Sequence, residues 1–394
     1  MQLLTQKIRD HKLVSTIYVA GLLLSFHYAF VIYVNSNFLE KFISERSLGI
    51  LYAIGALINM LAFLYMAQIL EKVRNYRLML YLTVLEISTL VGLATLTNPY
   101  LIMVLFVVHH AINAVIFFGL DIFLERSSND GETGGIRGVF LTIMNVTFVL
   151  SPLAVGLILG KGENFSLIYL ISAAFLIPFF FLIYRNFRNL PHKPYIAIDA
   201  WATLKTFWSS KKLWNIFTLN LILQFFYTWM TIYTPLYLHD VVGFNWKEIG
   251  IIFSVMLLPF VIFEIPLGRI ADTKLGEKEI LSTGLFVMAV TTIALTFLEA
   301  QNMALWALIL FLTRTGASAV EIMVESYFFK QINGDDTNLI SFFRNARPIA
   351  YIIGPLAAGL ALILVDNQSQ YLFFILGIIT LIGLRYSLSL EDTK

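Results

Sequence analysis

Arg314, Ser318, Glu321 and Glu325 recur at i, i+4, i+7 and i+11 within the long apolar run 302–328. On a helix that spacing lines a single face. A guanidinium and two carboxylates then form one polar stripe in an otherwise apolar segment. An ionisable group held inside a bilayer costs several kcal/mol unless it meets a cavity or a partner. Glu321 is the deeper acid, two turns from Arg314, and is the candidate proton carrier. Burial and a nearby cation act in opposite senses on carboxyl protonation, so its charge would follow conformation. A permanent Arg314–Glu321 ion pair is the structural alternative.

Counting inward at about 1.5 Å per residue puts His27, Glu86, His109, His110 and Gln224 at the same depth as Arg314. Histidine titrates near neutrality, which suits proton coupling. His109 and His110 are sequence neighbours and diverge by about 100° on a helix. His110 keeps the register of Arg314 when Asp121 is aligned with Glu325, so it is the proton-coupling candidate, together with His27, and His109 is a cavity candidate. Glu86 receives no role. Glu264 lies about a turn before Gly268 and is a gating or proton-coupling candidate. Gln224, Tyr227, Trp229, Tyr28 and Asn145 suit a cavity that takes flat amphipathic compounds or stacked sugar rings. No H-x-x-x-H pair or carboxylate cluster accompanies the histidines, which argues against a metal site.

These residues sit in a chain of 394 residues that is 58% hydrophobic and 13% charged, far from a soluble domain's balance. Runs of about 20 apolar residues recur throughout, each long enough to cross a bilayer as a helix. Twelve spans are expected, at 13–35, 46–70, 77–97, 100–123, 137–159, 165–185, 212–237, 246–268, 279–299, 302–328, 339–364 and 369–389. No small-residue cleavage site ends the first run, so it reads as a retained helix. Residues 1–185 form one six-helix bundle and 212–394 another. Residues 186–211 connect them, with 200–208 as an amphipathic surface helix that sets Trp201 and Trp208 at the headgroups. With the N-terminus in the cytoplasm, all but five of the 27 basic residues fall at inner ends and loops. The exceptions are Lys41, Arg46, Lys161, Lys247 and Arg314. Both termini are therefore expected inside. Absent cysteines exclude disulfides and thiolate metal sites. The absence of a G-x-x-x-x-G-K-S/T loop leaves an ion gradient or the substrate's own gradient as the energy source.

The halves echo each other at a spacing of about 200 residues, as repeat-built transporters do. Ser25-Phe-His-Tyr28 faces Gln224-Phe-Phe-Tyr227. Asp121 followed by Arg126 matches Glu325 followed by Lys330, and Ser151-Pro152-x-x-x-Gly156 matches Gly354-Pro355-x-x-x-Gly359. The stretch Gly268-x-x-x-Asp272-x-Lys274-x-Gly276-x-Lys278 resembles the G-x-x-x-D-R-x-G-R-R signature of the major facilitator superfamily, and Ala67-x-x-x-Glu71-Lys72 is a decayed copy, with Arg74 in place of a glycine.

The resemblance implies an all-α integral membrane fold of twelve helices in two pseudo-symmetric bundles, with spans 1, 4, 7 and 10 lining a central cavity. It implies a cytoplasmic gate made of Gly268, Asp272, Lys274, Gly276, Lys278, Asp121, Glu325, Glu71, Lys72 and Arg344, in which the acids pair with basic residues of the signature loops. It also implies a non-enzymatic secondary transporter working by alternating access. The expected activity is proton-coupled efflux of amphipathic compounds, as in drug-efflux-like members. The alternatives are a proton symporter of a sugar or small metabolite, a lipid translocase, and a receptor on the same fold. Expected partners are a small-molecule substrate and the bilayer, without nucleic acid or cofactor. The expected setting is a monomer in a prokaryotic cytoplasmic membrane.

Overall fold

An apolar chain crossing a bilayer must satisfy its backbone polar groups within each segment, which leaves the helix as the element for runs of this length. The computed structural model of the chain describes residues 2–127, 133–188, 200–271, 275–298, 300–331, 337–366 and 368–391, and these residues form helices and connecting turns without a strand. The first six spans are α1 (Gln2–Val31), α3 and α4 together (Glu45–Leu64, Met66–Val73), α5 (Asn75–Thr95), α6 (Pro99–Ser127), α7 (Thr133–Leu159) and α8 (Phe165–Asn186), with the short α2 (Asn35–Glu40) after the first. The surface helix α9 (Ala200–Ser209) leads to the second six. These are α10 (Lys211–Leu236), α11 with α12 (Trp246–Ile262, Glu264–Ile270), α13 (Glu277–Leu295), α14 (Met303–Gln331), α15 with α16 (Thr337–Arg344, Ala346–Leu364) and α17 (Tyr371–Ser387).

Among the described residues, 10 helical segments are long and apolar enough to cross a membrane, and Ser47–Phe63 and Tyr371–Ser387 are shorter apolar helices that complete the twelve. Val104, Phe181, Phe286 and Leu360 are among the large apolar side chains left outward. In water such a surface would be a liability, whereas against lipid it needs no cover. The chain is a multi-pass membrane protein.

The repeat is visible in where helices break. Tyr65 interrupts the second span and Phe263 the eighth, about one repeat apart. The turns that follow also match. Gly276 has φ +87°, and the corresponding turn is made by Arg74 at φ +61°. Glycine enters that region freely, while an arginine is strained there. Helix α9 packs Phe207 against Phe217, Phe328 and Phe342 and leaves Trp201 and Trp208 outward.

The two bundles meet through the fifth span on the eighth and the second on the eleventh. The Pro-x-x-x-Gly echoes of the sequence lie in these seams. A Cβ on Gly156 would fall 2.4 Å from the Trp246 carbonyl oxygen, and one on Gly250 would fall 2.4 Å from that of Pro152. Gly49 sits equally close to the Pro355 carbonyl, at 2.5 Å. Backbone touches backbone here, so the contact is tight. Between Tyr33, Pro152, Gly156, Trp246, Gly250 and Phe253 a gap of only about 10 Å³ remains, at most one water's worth.

These seams lie in the half of the membrane away from the termini. Polar links between the bundles stand on the same side. Glu163 joins Lys41 at 2.9 Å and His239 at 3.1 Å, and the Asn37 amide donates to Asp240 at 3.3 Å. Lys41 first and then His239 hold the Glu163 carboxyl below its ordinary range. The bundles are therefore held together on the side opposite the termini.

Candidate functional site

Two polar clusters lie at membrane depth, and they differ in kind. The first is inside the N-terminal bundle, on the first, third, fourth and sixth spans. The Glu86 Oε1 atom accepts from His109 Nδ1 at 2.5 Å and from the Asn113 amide at 3.1 Å. That amide also donates to the His109 carbonyl at 2.7 Å, which fixes its orientation and turns Asn113 Oδ1 towards His27 Nε2 at 2.9 Å. On the other side of the ring, Ser172 donates to the His27 carbonyl and lies 2.8 Å from His27 Nδ1. With its hydroxyl proton so used, the serine oxygen is an acceptor for Nδ1. Both nitrogens of His27 are thus partnered, and Glu86 Oε1 stands 3.4 Å from Nε2. His27, Glu86, His109, Asn113 and Ser172 are all buried.

The second cluster lies between the bundles. The Arg347 guanidinium on the eleventh span donates to the Tyr28 hydroxyl of the first at 3.3 Å. Tyr28 packs edge-on against Phe117 and Phe148, while Tyr351 lies under Arg347. His110 packs between Tyr52, Phe106 and Tyr351, so it borders this space from the fourth span. The Asn145 amide of the fifth span donates to Glu264 of the eighth at 3.3 Å. The Tyr227 hydroxyl donates to Glu321 at 2.6 Å. Arg314 lies over the rings of Phe226 and Tyr227, at 5.1 and 5.4 Å from their centroids, and its Nε has no hydrogen-bond partner. The Arg347 side chain is exposed although it stands among intramembrane residues, which marks this space as an open chamber.

The structure thus brings together Tyr28, His110, Asn145, Tyr227, Glu264, Arg314 and Glu321 of the residues expected from sequence. Four others lie elsewhere. His27 and His109 are not chamber residues, because both rings are consumed by the Glu86 cluster inside one bundle. Trp229 is 2% exposed, and its Nε1 donates to the Gly354 carbonyl at 2.6 Å, so it ties the seventh span to the eleventh. Gln224 is half-buried and donates to Asn220 at 3.4 Å, beside the chamber rather than across it. The alternative of a fixed Arg314–Glu321 ion pair is also not realised, since Tyr227 stands between them and no ion pair joins them.

At the terminal end, Glu325 pairs with Arg344 through two bonds of 2.6 and 3.2 Å, within one bundle. Lys330 instead clasps Glu277, the first residue of the ninth span, at 2.5 Å. Glu71 and Lys72 are exposed, as is Asp121, and Lys278 is the second residue of the ninth span, after the Gly276 turn. Among the described residues, a Cβ on Gly268 would meet only Ile322, at 3.8 Å, so their packing does not demand a glycine there. Asp272 and Lys274 lie outside the described residues.

Arg347 was the residue sequence reasoning passed over. It belongs to the basic group at the start of the eleventh span and counts there as a topology charge. Its spacing from Arg344 and Tyr351, at i−3 and i+4, was the signal that it shares their helix face. Asn113 and Ser172 carried no signal beyond being polar in apolar runs.

Twelve helices in two repeated bundles, held together on one side around a charged chamber, define a carrier-type membrane transporter. The family model of the Major Facilitator Superfamily matches residues 13–333 and 247–392, and the chain belongs to that family. No curated protein matches the sequence. Among solved structures, the nucleoside transporter NupG superposes with a TM-score of 0.76 at 11% identity, over 96% of this chain and 99% of that one. A D-xylose-proton symporter gives 0.75 at 13% identity, over 97% and 98%. A bacterial homologue of the human lysosomal transporter Spinster, in an inward-facing and unoccupied conformation, gives 0.71 at 12%, over 96% and 93%.

Proposed function

We propose that this transporter is proton-coupled and moves an amphipathic organic compound across a prokaryotic cytoplasmic membrane, with both termini in the cytoplasm, acting as a monomer without a cofactor. The observation that carries this reading is the pair Glu264 and Glu321. Each accepts a hydrogen bond from a neutral donor, Asn145 or Tyr227, and neither forms an ion pair among the described residues. A donor on one carboxyl oxygen leaves the other free to gain or lose a proton without dismantling the site. Glu264 and Glu321 are also electrostatic neighbours, so a proton on one favours an empty site on the other.

Efflux by proton exchange requires cargo and proton to compete for these carboxylates, as a cationic amphipath would, and the aromatic walls suit such a compound. A second reading, symport of a small metabolite, is favoured by Arg314 and Arg347, which would be costly in an apolar chamber if they had no anion to meet. The test is to reconstitute the protein in liposomes and follow internal pH while dyes, sugars and carboxylates are added under an imposed pH gradient. Proton movement that depends on one compound class supports coupling, and its sign separates exchange from symport. Flux of a compound with no proton movement would overturn the proposal.

A further inference from the structure

Arg314 and Arg347 set the chamber apart from its walls. Neither forms an ion pair among the described residues, although two carboxylates share the space. Arg347 meets a tyrosine hydroxyl and a tyrosine face, and Arg314 meets two aromatic faces and leaves its Nε unpartnered while 98% buried, with a relative exposure of 2%. Both act electrostatically on Tyr33 of the first span, at the closed end of the chamber. A guanidinium is a planar fork of donors that matches carboxylate and phosphoryl oxygens. Leaving both without a paired carboxylate at membrane depth is unfavourable unless the complement arrives with the ligand.

We propose that the chamber binds an organic anion, a carboxylate or phosphoryl group on an apolar body, with Arg347 as the first contact, Arg314 as the deeper second charge, and Tyr28 and Tyr351 flanking the head. The apolar body packs among Tyr28, Phe117, Phe148 and Tyr227. This inference rests on the chamber being the transport site, and it also fixes the sense of coupling. Protonation of Glu264 or Glu321 removes negative charge beside the arginines, so proton and anion bind with positive cooperativity, and by reciprocity each raises the other's affinity. That linkage is the signature of co-transport, whereas a cationic cargo would give exchange.

The test uses the purified full chain and four matched probes: 2-naphthoate, 2-naphthyl phosphate, 2-naphthylmethylammonium and 2-naphthylmethanol. Binding is read by tryptophan fluorescence and thermal shift, and flux is read in proteoliposomes. At least one anion should bind more tightly than the ammonium and the alcohol, and the carboxylate and phosphate arms identify the head group. Arg347→Gln should weaken that anion about tenfold or more, Arg347→Lys should restore part of it, and alcohol binding should not change in either variant. Arg314→Gln should weaken the same anion if it remains folded, and the Arg347 pair decides the matter if it does not. Anion affinity should rise between pH 7.5 and 6, and Glu264→Gln with Glu321→Gln should flatten that rise. Preferential binding of the ammonium, failure of both anions to bind, or unchanged anion affinity in Arg347→Gln would overturn the inference. An ammonium compound moved in exchange for protons would sink the anion site while leaving proton coupling intact. Anion binding without flux of any probe would do the reverse.

Discussion

The cluster around Glu86 and the chamber around Arg347 hold the same kinds of side chain at similar depth, yet they are wired differently. In the Glu86 cluster both ring nitrogens of His27 and both roles of Asn113 are used, Glu86 faces His27 and His109, and the residues are buried. In the chamber the acids bind neutral donors, the arginines bind aromatic rings and a hydroxyl, and unlike charges do not pair. Each cluster has one buried atom without a partner, Glu86 Oε2 in the first and Arg314 Nε in the second. A charged network inside one bundle holds helices together, because breaking it strands a buried charge. One whose members come from both bundles changes when the bundles move, which is where the proposed exchange of protons and cargo belongs. Depth and residue type alone do not distinguish them. The bundles that supply the partners do.

The sharpest way to break this contrast is to remove an acid from each cluster. Glu86→Leu removes the acceptor shared by His109 and Asn113 and should cost about 3–5 kcal/mol, seen as loss of folded protein or a large drop in the thermal midpoint in detergent. Glu264→Gln keeps the Asn145 bond and should cost about 1 kcal/mol or less. Equal losses would show that the two clusters are of one kind.

The chamber should also depend on its lid in a way the Glu86 cluster does not. In Gly250→Ala the new methyl meets the Pro152 carbonyl, and overpacking of about 1–3 kcal/mol is enough to shift the joined state's population several-fold. The chain has no native cysteine, so a single cysteine at Val34 reports the change as faster labelling by an impermeant maleimide added from the side opposite the termini.

Acid should loosen the same lid more gently. The folded Glu163 carboxyl is held below its ordinary range, so its contribution is present above the usual carboxylate pKa and lost as pH falls through the depressed one. Maleimide labelling should therefore rise in strongly acidic medium, and Glu163→Gln should show the faster rate already at neutral pH.

The smallest effect is expected from Arg74→Gly, which touches neither cluster. Relief of a residue at φ +61° should raise stability by about 1 kcal/mol and leave the pH dependence of transport unchanged, as read by thermal unfolding and uptake.

The fold was legible because membrane spans advertise themselves by length and hydropathy. The echoes Ser151-Pro152 and Gly354-Pro355 marked the seams even though their purpose, close backbone approach, emerges only with Gly250 and Gly49 across from them. The stripe from Arg314 to Glu325 was equally readable, being set by helical spacing alone. What spacing could not supply was rotation about each helix axis. His27 lies on a cavity-lining span yet turns inward, and its neighbour Tyr28 takes the chamber face. The same ambiguity hid Arg347, whose place at a helix start fits a topology charge as well as a ligand contact. Glu86 could not be assigned because its partners come from two other spans, the first and the fourth.

The central claim is that Glu264 and Glu321, not the Glu86 cluster, carry the coupling proton. The most direct measurement compares two kinds of uptake in proteoliposomes holding wild type, Glu264→Gln or Glu321→Gln, with a transported compound as tracer. One is accumulation driven by a pH gradient, and the other is one-for-one exchange at equal pH. Wild type should do both, while each variant should keep exchange and lose gradient-driven accumulation. Accumulation that survives in both variants would contradict the claim and move the proton site elsewhere in the molecule.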